Sequence, residues 1–166
     1  MSGTREVLAT VALGSNLGDP AAELDRALVQ LERLPRTRVL ARSSWHKTEP
    51  VGGPAGQPLF RNGVVQLATA LGARELLAEL QRLERDAGRV RENELRNGPR
   101  ILDLDLVFYG DSRLNEPGLE VPHPRAEERL FVLEPLAEIA PEMKLPGCQK
   151  SVRERVRELR SMGAGA

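Results

Sequence analysis

Arg100-Ile101-Leu102-Asp103-Leu104-Asp105-Leu106-Val107-Phe108-Tyr109 reads as a β-strand, filled with apolar and β-favouring residues and punctuated by Gly98-Pro99 before it and Gly110-Asp111 after it. Side chains alternate along a strand, so Leu102, Leu104, Leu106 and Phe108 are expected on one core-facing side. Ile101, Asp103, Asp105 and Val107 share the other. That side carries two carboxylates two residues apart on a strand too apolar for the surface. Burying two like charges costs several kcal/mol each in rough terms, so something positive must offset them. A hard divalent cation such as Mg²⁺ takes oxygen ligands and fits the demand. The alternative is a solvated or Arg-paired couple of aspartates, because Asp-x-Asp alone is a weak motif. Arg96 and Arg100 flank Asn97-Gly98-Pro99 just upstream. Guanidiniums grip phosphate oxygens in bidentate fashion. Carboxylates, a cation and arginines together point to metal-assisted chemistry on a polyphosphate.

Before that strand, Ala73 to Ala87 has a helical stripe of Leu76, Leu77, Leu80, Leu83 and Ala87, with Gly88 as its cap. At helical spacing Glu84 lies about 60° from the centre of this stripe, at the edge of the core. Gln81 sits one turn earlier. A helix-edge Glu is by default solvated or Arg-paired; here it could also aim at the two aspartates. From Arg82 to Arg100 there are six arginines and four carboxylates without a clear period. The segment reads either as a solvated loop or as a lid that brings arginines onto phosphates.

The earlier chain supplies the other strands. Glu6 to Leu13 reads as a strand, followed by the turn Gly14-Ser15-Asn16-Leu17-Gly18. A Gly-Ser-Asn turn before a helix could cradle a phosphate, but without a P-loop pattern a structural turn is the favoured reading. Asp19 caps a helix that opens with Pro20 and ends at Pro35. Arg38 to Lys47 is expected as one strand. Residues 48–58 form a loop rich in Pro and Gly, of the length that is functional or disordered in compact domains. Phe60 to Thr69 is a third strand, with Asn62, Val64, Gln66 and Ala68 on one face.

After the Asp-x-Asp strand comes a turn-rich segment, then Val121-Pro122-His123-Pro124-Arg125, where two prolines hold His123 in a stiff extended stretch. Ala126 to Ala140 is expected to be helical in pieces. Ser151 to Leu159 is a short terminal helix, and the last seven residues are expected to be frayed. The order strand, helix, strand, strand, helix, strand is the split βαβ pattern of a ferredoxin-like α+β sandwich, with a largely antiparallel sheet and helices packed on it. That fold hosts many activities and does not settle function.

Composition bounds the rest. A length of 166 residues suits one domain, 1–166. Zero net charge gives no drive toward nucleic acid or an anionic membrane. One cysteine, Cys148, excludes an internal disulfide and fits a reducing compartment. With no apolar leader or spanning run, a cytoplasmic protein is expected.

The chain resembles the 6-hydroxymethyl-7,8-dihydropterin pyrophosphokinases of folate biosynthesis. The resemblance runs from Ala12-Leu13-Gly14-Ser15-Asn16-Leu17-Gly18 to Ile139-Ala140-Pro141-Glu142. Its most specific piece is Gly98-Pro99-Arg100-Ile101-Leu102-Asp103-Leu104-Asp105-Leu106, joined by Val121-Pro122-His123-Pro124-Arg125 and Arg129-Leu130-Phe131. It implies transfer of the terminal diphosphate of ATP to the pterin hydroxymethyl group, with release of AMP. By the same resemblance, Asp103 and Asp105 match the carboxylates that hold two Mg²⁺ ions, and Arg89 and Arg100 match catalytic phosphate-binding arginines. Arg91 and Arg96 match further basic positions of the loop. Gln81, Glu84, His123 and Arg129 match the ATP side. Phe60 and Phe131 match the rings that sandwich the pterin, with core filling as their alternative role. Thr48, Asn62 and the backbone of Val51 match its polar partners. The chain departs from the family pattern at Glu92, Asn97 and Pro124, and its arginine loop is one residue longer than in some relatives. Its length leaves no room for a fused folate enzyme, and a monomer that binds neither nucleic acid nor membrane is expected. Two other readings stay open: a non-enzymatic ferredoxin-like module that binds RNA or a regulatory ligand, and a pterin binder without activity.

Overall fold

The computed structural model describes residues 5–49, 55–89 and 100–163. Five strands build one antiparallel sheet: β1 (Val7–Ser15), β2 (Thr37–Arg42), β3 (His46–Thr48), β4 (Phe60–Thr69) and β5 (Asp103–Tyr109). The order is β2-β4-β1-β5, with β3 also paired to β4. Since β3 extends the line of β2, this is the split βαβ arrangement read from the sequence.

Helices cover both faces of the sheet. On the first face lie α1 (Pro20–Glu32) and α2 (Ala73–Asp86). The Asp19 side chain accepts from the Ala22 amide at 3.2 Å, which caps α1. Leu24, Ala27 and Leu31 of α1 join Leu76, Leu80 and Leu83 of α2 over Ala9, Val11 and Leu13 of β1. On the second face α3 (Leu130–Ile139) and α4 (Val152–Gly163) pack through Val132, Leu133, Leu136, Val152 and Val156 onto Val64 and Phe108. The second face is only partly covered. Its open end, at Gly14, Asn62 and Asp103, is the floor of the site. No described helix is long and apolar enough to cross a membrane.

Four expectations are corrected. Phe108 does not share a side with Leu104 and Leu106. Thr10 pairs with Phe108 while Val11 pairs with Leu106, so Val107 is an extra residue on β5. This bulge turns Val107 and Phe108 together onto the second face. It also presents the Val107 carbonyl to the His123 amide, at 2.9 Å, and so seats the Pro122–Pro124 segment beside the edge strand. Second, the stretch Arg38 to Lys47 is two strands, not one. It breaks at Ser43-Ser44-Trp45, where the Ser43 Oγ accepts from the Val64 amide at 2.9 Å and the Trp45 indole folds across Gly63. Third, the turn-rich segment after Gly110 contains a hairpin, β6 (Leu114–Glu116) and β7 (Leu119–Val121). Fourth, α4 continues to Gly163 rather than fraying after Leu159. Arg160 Nε donates to Glu134 Oε2 of α3 at 3.0 Å and holds its last turn.

Gly63 gives a test of this packing. A Cβ there would lie 2.3 Å from the Trp45 ring. Gly63→Ala is expected to lower the unfolding free energy by about 1–3 kcal/mol, as overpacking does. Urea unfolding followed by Trp45 fluorescence measures it, and an unchanged midpoint would contradict the contact.

Candidate active site

The site is assembled where β5 begins. Asn16, 1% exposed, ties three segments together there. Its backbone amide donates to the Arg100 carbonyl at 3.0 Å, and its Oδ1 accepts from the Arg100 amide at 2.8 Å. Its Nδ2 donates to Gln57 Oε1 at 3.1 Å and to the Pro58 carbonyl at 3.2 Å. The turn after β1 is therefore structural, and it delivers Arg100 to the start of β5.

Beneath β5 lies a buried ionic cluster. Glu84 is 1% exposed and Arg89 8% exposed. Glu84 Oε2 accepts from Arg89 Nη1 at 2.7 Å and from the Leu104 amide at 2.8 Å. The same Arg89 nitrogen donates to Asp103 Oδ1 at 2.8 Å and to the Leu102 carbonyl at 3.2 Å. Glu84 thus lies inside the core rather than at its edge, drawn in by a guanidinium and a strand amide. A buried charge needs partners of this kind.

Asp105 is the carboxylate left without such compensation. Burial raises its pKa to about 7, the negative charges of Asp103 and Glu84 push the same way, and Arg89 and Arg129 oppose them only in part. Desolvation plus like charges in a cleft mark a functional-site candidate. Among the described residues, no three or more His, Cys, Asp and Glu side chains gather as a metal centre. Asp103 and Asp105 are the oxygen-donor pair here, and a hard divalent cation is the ligand such a pair suits.

A cleft of about 640 Å³ opens over this pair. Arg100, Asp103, Asp105 and Arg129 form its charged end, and Thr48, Phe60, Asn62 and Phe131 line it as well. Strand pairing explains the grouping. Asn62 lies opposite Gly14 and Gly14 opposite Asp103, so one row of the sheet joins a polar amide to the acidic end, and the Phe60–Thr48 pair lies two residues further along β4. Gly14 keeps the row flat, because a Cβ there would sit 2.9 Å from Asn62 Oδ1. Asn62 Nδ2 bonds Thr48 Oγ1, which fixes both polar groups beside the Phe60 ring. Across the cleft, Arg129 caps α3 and its guanidinium stands 5.4 Å from the centre of the Phe131 ring.

A second chamber of about 330 Å³ is lined by Leu77, Gln81, Glu120, His123 and Asp105 among others. Asp105 lines both chambers and stands between them. The His123 pKa is lowered by burial and then by Arg129. Its Nδ1 accepts from the Arg125 amide at 3.4 Å, a long bond.

Of the residues singled out in the sequence, eight line the large cleft: Thr48, Phe60, Asn62, Arg100, Asp103, Asp105, Arg129 and Phe131. Gln81 and His123 line the second chamber. Glu84 and Arg89 lie beneath the floor and act on it through hydrogen bonds. Val51, Arg91 and Arg96, with the departures Glu92 and Asn97, lie outside the described residues. Sequence reasoning passed over the site roles of Asn16 and Gly14, and gave no role to Leu159 and Met162, which also line the cleft.

The chain is similar to known proteins in sequence and in fold. Residues 10–141 match the family described as 7,8-dihydro-6-hydroxymethylpterin-pyrophosphokinase. A 2-amino-4-hydroxy-6-hydroxymethyldihydropteridine pyrophosphokinase of Pseudomonas aeruginosa is 49% identical over 136 residues, 82% of each chain. The folic acid synthesis protein fol1 of Schizosaccharomyces pombe is 34% identical over 160 residues, 96% of this chain and 21% of that one. Among solved structures, wild-type Plasmodium falciparum HPPK-DHPS with pterin and p-hydroxybenzoate superposes with a TM-score of 0.76 at 14% identity. This chain is covered to 99% and spans 45% of that one, a likeness that establishes the fold.

Two outcomes follow from the charge balance and the Asn16 tether. The folded-state pKa of Asp105 lies above the unfolded one, so its ionisation opposes folding. The penalty is absent below about pH 4 and grows as pH rises through about 7. Asp105→Asn, measured without metal, is expected to raise stability by about 1–2 kcal/mol at pH 8 and to leave it unchanged at pH 4. A stability loss at pH 8 would contradict the assignment. Asn16→Ala removes bonds to Arg100, Gln57 and Pro58 and is expected to cost about 2–3 kcal/mol in urea unfolding; a cost under about 0.5 kcal/mol would remove its role as a tether.

Proposed function

This chain belongs to the 7,8-dihydro-6-hydroxymethylpterin-pyrophosphokinase family, and we propose that it transfers diphosphate from ATP to 6-hydroxymethyl-7,8-dihydropterin in folate biosynthesis. The pterin hydroxyl oxygen attacks the β-phosphorus of ATP. The bond from that phosphorus to the oxygen bridging the α-phosphate breaks, the hydroxyl proton is lost, and AMP leaves. The observation that carries the reading is the single cleft in which Phe60 and Asn62 of β4 lie beside an acidic, arginine-flanked end, with Asn62, Gly14 and Asp103 in one row of the sheet. In support, the relative from Pseudomonas aeruginosa is named for this activity.

Phe60 and Phe131 take the two faces of the heterocycle, and Asn62 with Thr48 bonds its polar edge. The hydroxymethyl group then points along the row toward Asp103 and Asp105. Gln81 and His123 belong to the nucleotide chamber. Asp105, in the wall between the two chambers, stands where the two substrates meet. Arg100 and Arg129 neutralise phosphate charge from the cleft walls, while Arg89 holds Asp103 in place from below. Phosphoryl transfer of this kind depends on positioning and electrostatics more than on covalent chemistry. Asp103 and Asp105 would hold Mg²⁺, two ions in the full reaction complex, which supplies positive charge for the phosphate oxygens as the bond to the leaving group breaks. The raised pKa of Asp105, caused first by burial and then by the charges of Asp103 and Glu84, supports this, since a cation at the pair would stabilise the buried carboxylates. A cytoplasmic monomer without a nucleic-acid or membrane partner is part of the same reading.

Purified protein incubated with ATP, Mg²⁺ and the reduced pterin should form AMP and pterin diphosphate in equal amounts, and none when the pterin or Mg²⁺ is left out. ADP as the product, or no turnover, would sink the reading. Asp103→Ala and Asp105→Ala should each lower kcat by about 10²–10³-fold or more with an unchanged far-UV spectrum; wild-type rates in either would remove the metal assignment.

A further inference from the structure

The cleft has a wall that lies beyond the residues matched by the family. That match ends at residue 141, whereas α4 spans Val152–Gly163. Leu159, Met162 and Gly163, from the last two turns of α4, line the same cleft as Phe60, Asn62 and Phe131. The placement is fixed by packing. Leu159, Leu130 and Phe131 all rest on the apolar cluster that joins α3 to α4. Arg160 bonds Glu134, and Arg155 Nε donates to the Glu127 carbonyl at 2.7 Å. These bonds tie α4 to α3 and to the short turn at Ala126–Glu128 before it, and they set the last turns of α4 against the cleft. Met162 is nonetheless 68% exposed, the most exposed large apolar side chain among the described residues. An apolar side chain held over a cleft and left open to solvent gains its burial only when the cleft is filled.

We propose that the last turns of α4 are a substrate-binding wall, in which Met162, with Leu159 behind it, closes the outer edge of the ring-binding end and contacts the bound pterin. The chemistry favours the heterocycle over the nucleotide. The side chains from α4 in the cleft, Leu159 and Met162, are both apolar, so they offer phosphate nothing. A thioether adapts to an irregular, partly saturated ring edge and makes favourable contacts with aromatic faces. The reduced ring is not fully flat. Two phenylalanines cover its faces, and a flexible side chain is suited to its rim. Met162 is therefore a specificity-determining residue for the pterin, contributed by a segment outside the family match.

The inference rests on the reading under Proposed function, and its test separates the two. Met162→Gln keeps length and removes apolarity at an exposed position, so folding is not at risk; Met162→Leu keeps apolarity. Steady-state rates are measured for wild type and both variants while each substrate is varied. Met162→Gln is expected to raise KM for the pterin about three- to tenfold, with KM for ATP and kcat within twofold of wild type, and Met162→Leu to restore the wild-type pterin KM. A pterin KM for Met162→Gln equal to that of an active wild type overturns the wall alone. So does a change in both KM values together, or a Met162→Leu variant as impaired as Met162→Gln. A wild type that forms no AMP overturns the functional reading beneath it.

Discussion

The structure turns on one buried guanidinium. Arg89 sits between Glu84 of α2 and Asp103 of β5, and through Glu84 it is linked to the Leu104 amide of the same strand. Three carboxylates, of Glu84, Asp103 and Asp105, lie around it. Burial raises the pKa of Asp105 to about 7, and the negative charges of Asp103 and Glu84 add to the effect. Removing one partner from such a cluster costs about 3–5 kcal/mol, because the other is then left charged and unpaired. The helix, the strand and Asp103 are therefore held together by one device, and Arg100 and Arg129 flank the acidic pair where the cleft opens. An acidic pair flanked by arginines suits a cation and, through it, phosphate.

The antiparallel sheet supplies the rest of the geometry. Pairing of β3, β4, β1 and β5 puts Phe60, Asn62, Gly14 and Asp103 into adjacent positions without any loop having to place them. Elements of a rigid scaffold position groups more accurately than loops do. The bulge at Val107 then ends the regular strand, moves Phe108 under α3, and lends its carbonyl to His123. The same irregularity thus closes the second hydrophobic layer and fixes one wall of the second chamber.

Much of this was legible in the sequence, and the exceptions have physical reasons. The Phe60–Thr69 strand and the stripe of α2 were readable because each follows one period for its whole length, and the Asp-x-Asp strand because it does so as far as Leu106. Phe108 was misplaced because a bulge interrupts that period without a local sequence signal. Trp45 split a strand because its indole needs the space over Gly63, a tertiary demand that propensity does not carry. The hairpin at Leu114–Val121 did have a signal, the turn pair Pro117-Gly118, but its two strands are three residues each and brevity hid them. Helical angle put Glu84 at the edge of the core; two hydrogen-bond donors brought it inside. Asn16 tethers segments distant in sequence, and nothing in its own neighbourhood announces that. The aromatic, polar and acidic residues of the cleft were recovered by resemblance, whereas Met162 lay in a segment to which the resemblance does not extend.

The central claim is that Glu84, through Arg89, holds Asp103 and the start of β5 as one unit. A double-mutant cycle on Glu84→Gln and Asp103→Asn, read as unfolding free energy in urea at pH 7, tests it most directly. The account predicts non-additivity of about 1 kcal/mol or more, because both carboxylates depend on the same guanidinium. Additive effects within about 0.3 kcal/mol would mean that the two carboxylates act independently, and the account would be wrong.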